Sequence, residues 1–78
     1  MARRDNNDRR RTVAFGDRVR QMREQRGLTQ EKLAEQADVH RAEIGFIERG
    51  EREVGITLAW RTADGLGLTL AELVDGLN

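Results

Sequence analysis

An all-α domain of five short helices is the fold this sequence predicts, and three observations carry that prediction. Apolar residues recur at helical spacing from Val13 onward. Residues that start or stop helices (Gly27, Thr29, Gly50, Gly67 and Thr69) fall between the periodic stretches. No stretch alternates apolar and polar side chains as a half-buried strand does, and no internal repeat is visible.

The elements follow in order. Residues 1–12, MARRDNNDRRRT, hold almost nothing apolar and read as a disordered basic arm, with the folded domain spanning 13–78. Phe15, Val19 and Met22 set the face of a first helix that begins near Val13 and ends at Gly27, a natural left-handed cap. Thr29 caps a second helix, which buries Leu33, Ala34 and Ala37. After a turn at Asp38 and Val39, a third helix covers roughly 40–49 with Ile44 and Ile47 pointing inward, and Gly50 stops it. The segment EREVG is a polar connection. In the fourth helix, ITLAWRTADGL, the spacing puts Ile56, Trp60 and Ala63 inward. Thr69 caps a fifth, LAELVDGL, whose apolar stripe is Leu70, Leu73, Val74 and Leu77.

Composition narrows the function. Charged residues make up 36% of the 78-residue chain and aromatics only 4%, which suits a helical bundle built on Leu, Ile, Val and Ala. The chain holds no cysteine, one histidine and no tyrosine, and it shows neither a metal-spaced cluster nor a glycine-rich phosphate loop. Asp64 and Asp75 sit at helical spacing on solvated faces. These absences argue against an enzyme, a metal, a cofactor or a disulfide, and no small-molecule effector pocket is apparent. No apolar run reaches the roughly 18 residues that cross a membrane, so the cytoplasm is the expected compartment. The net charge of zero conceals an asymmetry: residues 1–12 carry five arginines against Asp5 and Asp8, and the remainder is acidic. A basic tail on an acidic body fits contact with an anionic polymer, or a solvated leader.

The segment from Gln30 to Ile47 is the most informative. With Gln30 as position one, Ala34 falls at five, where two helices cross and only a small side chain fits. Asp38 falls at nine, in a turn that needs positive φ. Val39, Ile44 and Ile47, at ten, fifteen and eighteen, clamp the later helix onto the earlier one. That geometry pushes one helix out of the body, able to enter a DNA major groove. The run LTQEKLAEQADVHRAEIGFIERGER resembles the Cro/cI-type (xenobiotic-response-element) helix-turn-helix family, and the likeness extends over about residues 15–75. DVHRA followed by IERGER is similar to the reading helix of restriction–modification controller proteins. Two positions depart from the family: Asp38 stands where glycine is usual, and His40 where serine or threonine usually caps the helix.

The resemblance implies a compact repressor-like DNA-binding domain, with the helix-turn-helix at the second and third helices. His40, Arg41, Ala42, Glu43, Gly45 and Phe46 are the expected base contacts. Arg41 suits a bidentate bond to guanine, worth about 1–3 kcal/mol of discrimination. Ala42 and Phe46 offer apolar surface to a thymine methyl, although Phe46 also fits a core position. Gly45 would let the backbone come close. Glu43 would brace Arg41 or exclude wrong bases. An ion pair between Arg23 and Glu48, tying the reading helix to its scaffold, is implied by the resemblance. So is the role of Gln30 as a phosphate clamp, which its place at a helix N-terminus favours. Arg49 and Arg52 are candidates for the flanking strand, and Arg9, Arg10 and Arg11 either wrap the duplex or stay loose.

One such domain reads too few base pairs to select a site, so a homodimer on a palindromic operator is expected. The fifth helix, with Leu70, Leu73, Val74 and Leu77, is the expected dimer surface. Its inner members are needed by the core, which leaves Val74 and Leu77 as the main candidates. The partners expected are therefore double-stranded DNA and a second copy, with no membrane. The competing function is a protein-interaction module of the same fold, such as an antitoxin or anti-repressor partner, suggested by the acidic body and by Glu43.

Overall fold

A computed structural model describes residues 6–77, and those residues form five helices and no strand. They are α1 (Asn6–Gln25), α2 (Gln30–Ala37), α3 (Arg41–Glu48), α4 (Ile56–Leu66) and α5 (Leu70–Val74). None is long and apolar enough to cross a membrane. The core gathers Val19 from α1, Leu33 and Ala34 from α2, Ile44 and Ile47 from α3, Ala63 and Leu66 from α4, and Leu73 from α5. Burying each leucine or isoleucine of this set contributes about 1.5–3 kcal/mol against the entropy of ordering the chain.

The first helix departs from expectation. It begins at Asn6, so residues 6–12, read from sequence as a disordered arm, are helical; residues 1–5 lie outside the described part. Extending a helix already anchored by Val19 costs little, because the nucleation penalty falls only once. Asp8 favours the first turn, where the helix dipole is positive. Asn7 accepts a bond from Arg10, and Thr12 Oγ1 donates to the Asp8 carbonyl at 3.0 Å. Arginine is also a good helix former.

Helices α1 to α4 close in the same way. Residues just past each helix donate backward, as in the Val39 N–H to the Ala34 carbonyl at 3.0 Å and the Leu28 N–H to the Arg23 carbonyl at 3.1 Å. This closure needs one left-handed residue. Asp38 supplies it after α2 with φ 58°, where Gly27, Gly50 and Gly67 do so elsewhere. The sequence expectation for Asp38 holds, and its short side chain is what makes that conformation tolerable.

Two crossings fix where α3 sits. A side chain on Gly16 of α1 would collide with the carbonyl oxygen of Ile47, so α1 lies directly against the α3 backbone. On the other side, a Cβ on Gly65 would lie 2.9 Å from that of Ala37, which draws α4 close to α2.

That close approach turns the face expected of α4, keeping Ala63 inward but not Ile56 or Trp60. Its inward stripe is Ala59, Thr62, Ala63, Gly65 and Leu66, whereas Ile56 is 62% exposed and Trp60 54% exposed. Small side chains win the inward face because only they permit the short separation between helices. Thr62 is buried without cost to its hydroxyl, which donates to the Leu58 carbonyl at 2.8 Å.

The last helix is shorter than expected. A capping box starts it, with the Glu72 N–H donating to Thr69 Oγ1 at 3.0 Å and the Thr69 N–H to Glu72 Oε1 at 2.8 Å. It ends at Val74 in a type II turn: Asp75 has φ −56° and ψ 127°, Gly76 has φ 80°, and the Leu77 N–H reaches the Val74 carbonyl at 2.9 Å. Leu77 therefore leaves the α5 stripe on which the sequence placed it. Arg18 of α1 and Arg26 just past its end donate to the carbonyls of Leu73 (3.1 Å) and Leu66 (2.7 Å), tying down the ends of α5 and α4.

Candidate nucleic-acid interface

The third helix is presented, not enclosed. Ile44 and Ile47 are fully buried, and the opposite edge leaves His40, Arg41 and Ala42 exposed with Phe46 half-buried. His40 takes the N-cap place with extended backbone but gives no side-chain bond to the helix, as the sequence indicated for a poor cap.

A buried ionic clamp anchors the far end of α3. Arg23 of α1 meets Glu48 twice, Nε to Oε2 at 2.6 Å and Nη2 to Oε1 at 3.0 Å, with side chains only 13% and 3% exposed. The remaining Nη1 donates to the Leu28 carbonyl at 2.8 Å. Hydrogen bonding to Glu48 holds the Arg23 guanidinium above its usual range although burial pushes it down, so it stays charged at every pH short of strong alkali. Such bidentate geometry is the strongest form of arginine–carboxylate pairing. Gln30 completes the clamp, its Nε2 donating to Glu48 Oε1 at 3.0 Å. The glutamine expected to face a phosphate thus spends one donor inside the protein. It also couples the start of α2 to the end of α3.

Around the exposed edge, each of the three nearby arginines meets a carboxylate. Arg41 Nε lies 3.5 Å from Glu31 of α2, and Arg49 Nε lies 2.9 Å from Glu51. Glu43, expected to brace Arg41, instead bonds Arg52 at 2.5 Å. The chain turns back after Gly50, and that return brings Arg52 over α3. Phe46 lies outside the core cluster, and its ring is flanked by two guanidinium groups, Arg52 at 4.6 Å and Arg49 at 5.4 Å from its centroid. Gly45, expected to be open to DNA, is buried: a Cβ there would lie 3.0 Å from Arg49 Nη1, because the Arg49 side chain folds back across it.

The basic residues of α1 are dispersed because they are helical. Arg9 lines a groove with the Arg49–Glu53 segment beyond the reading helix. Arg10 is bonded to Asn7, and Arg11 lies 3.9 Å from Asp8 while lining a second, apolar groove. Only Arg9 of the three faces the segment that follows α3.

That apolar groove is formed by Phe15, Val54, Ile56, Ala59, Leu70 and Val74. Of the residues expected at a dimer surface, Leu70 and Val74 line it, fully buried Leu73 belongs to the core, and Leu77 lies beyond the terminal turn. Ile56 and Trp60 were missed because their spacing serves an inward and an outward face equally. Glu31 and Glu51 were missed because their pairing depends on how α2 and the loop approach α3.

Comparison with known proteins places this arrangement. Residues 19–73 match the helix-turn-helix family. The control protein C.BamHI of Bacillus amyloliquefaciens is 40% identical over 64 residues, covering 81% of this chain and 79% of that protein. The control protein C.MunI of a Mycoplasma species is 36% identical over 67 residues, covering 85% and 90%. Among solved structures, the restriction-modification controller protein C.AhdI from Aeromonas hydrophila superposes with a TM-score of 0.76 at 37% identity, covering 80% of this chain and 94% of that one. With its turn, its presented third helix and most of its length inside these matches, the chain belongs to the helix-turn-helix family.

Proposed function

We propose that the protein is a sequence-specific, DNA-binding regulator of transcription that acts as a homodimer on a palindromic operator, with α3 as the recognition helix. The observation that carries this reading is the posture of α3. Its inner edge is locked by Ile44, Ile47 and the Arg23–Glu48–Gln30 clamp, while Arg41 and Ala42 stay open. A rigid helix with a free polar edge is what a major groove accepts. Arg41, at its first turn, is the principal base-reading residue. Gln30, Arg49 and Arg9 are the candidates for the phosphates on either side, with Arg52 held beside them by Glu43.

Relatives that bear the names of control proteins and of a restriction-modification controller support the narrower reading, a controller of this kind. The same kinship supports a binding role without catalysis, in the cytoplasm. The apolar groove that Ile56 shares with Leu70 and Val74, with exposed Trp60 one turn further along α4, is the surface on which a second copy docks. A contiguous exposed apolar patch of this kind marks an interaction site.

Selection of bound duplexes from a random pool tests the whole reading. A symmetric pair of half-sites about one helical turn apart is the expected product, and Arg41→Ala should erase the preference at one base pair of each. Recovery of no enriched sequence, with a protein partner retained instead, would favour the interaction module.

A further inference from the structure

The surface offered to DNA is neutralised from within. Arg41, Arg49 and Arg52 are matched by Glu31, Glu51 and Glu43, contributed by α2, the loop after α3 and α3 itself. The third pair differs from the other two. Its carboxylate stands on the reading helix and is the least exposed of the three, 30% against 63% and 51%. Its guanidinium also lies nearer the Phe46 ring, 4.6 Å from the centroid against 5.4 Å for Arg49. A charged group fixed by a carboxylate and an aromatic face has little freedom to reach elsewhere.

We propose that Glu43 is a specificity-determining residue: it positions Arg52 on Phe46 and keeps it from gripping the phosphates of any duplex regardless of sequence. This rests on the DNA-binding reading above. Non-specific binding is almost wholly electrostatic, each neutralised phosphate releasing condensed counterions. An arginine already balanced by a carboxylate adds little to that attraction. Moving Arg52 to a phosphate strands the Glu43 charge beside an anionic backbone, so the indiscriminate contact is penalised. A duplex that fits α3 leaves the pair intact and meets the guanidinium by its remaining N–H donors, since only Nη1 is bonded to Glu43. Specificity is thereby gained by weakening the wrong complexes.

Fluorescence anisotropy of the full chain tests this, on its selected site and on a random duplex, across a salt series. Glu43→Gln keeps the shape and removes the charge. The random duplex should bind on the order of fivefold to tenfold tighter at 0.1 M salt, with a log–log salt slope steeper by about 0.9, one phosphate's worth. The ratio of specific to random binding should fall accordingly, and the double variant Glu43→Gln/Arg52→Gln should lose the gain. Unchanged melting of Glu43→Gln shows that the fold is intact. Equal slopes for wild type and Glu43→Gln, or a gain that survives in the double variant, overturn the role of Glu43 alone. Wild-type protein that binds neither duplex overturns the DNA-binding reading and this role with it.

Discussion

Two arginine–glutamate pairs on opposite sides of α3 do opposite work. Behind α3, Arg23 and Glu48 are buried, doubly bonded and joined by Gln30. In front of it, Arg52 and Glu43 meet once, with 46% and 30% of their side chains exposed. Burial removes water as a competitor, so the rear pair leaves a stranded charge if either partner goes. Solvent screens the front pair, which holds geometry without holding the fold. The same chemistry is a scaffold on one face and a balance of charge on the other.

Breaking the rear pair should have the largest effect. Glu48→Ala is expected to cost about 3–5 kcal/mol in chemical denaturation, a large share of the stability of a domain this size. A loss below about 1 kcal/mol would mean that water reaches the clamp and that the two regions do not differ. Gly16→Ala separates the ion pair from the helix contact beside it. Pushing α1 off the Ile47 carbonyl should cost about 1–3 kcal/mol while leaving both charges present. Arg41→Ala moves the comparison to the front. Its melting temperature should hold, while discrimination at one base pair falls by about 1–3 kcal/mol in competition binding. Smallest of all, Arg52→Ala should change stability by less than about 1 kcal/mol, measured in the same denaturant series as Glu48→Ala.

The exposed pair on α4 sharpens a different contrast, between apolar residues buried in the monomer and those left on its surface. Trp60→Glu should leave the monomer folded, because Ala59, Ala63 and Leu66 make the inward stripe. It should shift sedimentation toward the single-chain species. An unfolded variant, judged by circular dichroism, would return Trp60 to the core.

Much of this was legible in the chain, and the misses share a cause. Thr29 and Thr69 as caps, Asp38 as the left-handed turn, and Ile44 and Ile47 as the inner edge of α3 were readable because each depends on neighbours within a turn or two. The Arg23–Glu48 pair, separated by 25 residues, was reachable only through family likeness. The start of α1 was missed because polar residues carry no periodic signal, although a helix propagates through them once packing anchors it. Leu77 was misplaced because Asp75–Gly76 reads equally as the end of a stripe and as a turn.

Sequence by itself therefore determined the number and order of the helices, the Thr29 and Thr69 caps and the register of the helix-turn-helix, all set by local sterics and by hydrogen bonds to nearby backbone. Tertiary structure alone decided which carboxylate answers which arginine, that Arg49 covers Gly45, and that Ile56 and Trp60 face outward. These depend on the distances between helices, set at Gly16 against Ile47 and Gly65 against Ala37. No periodicity encodes such a distance, because it is a property of two surfaces meeting.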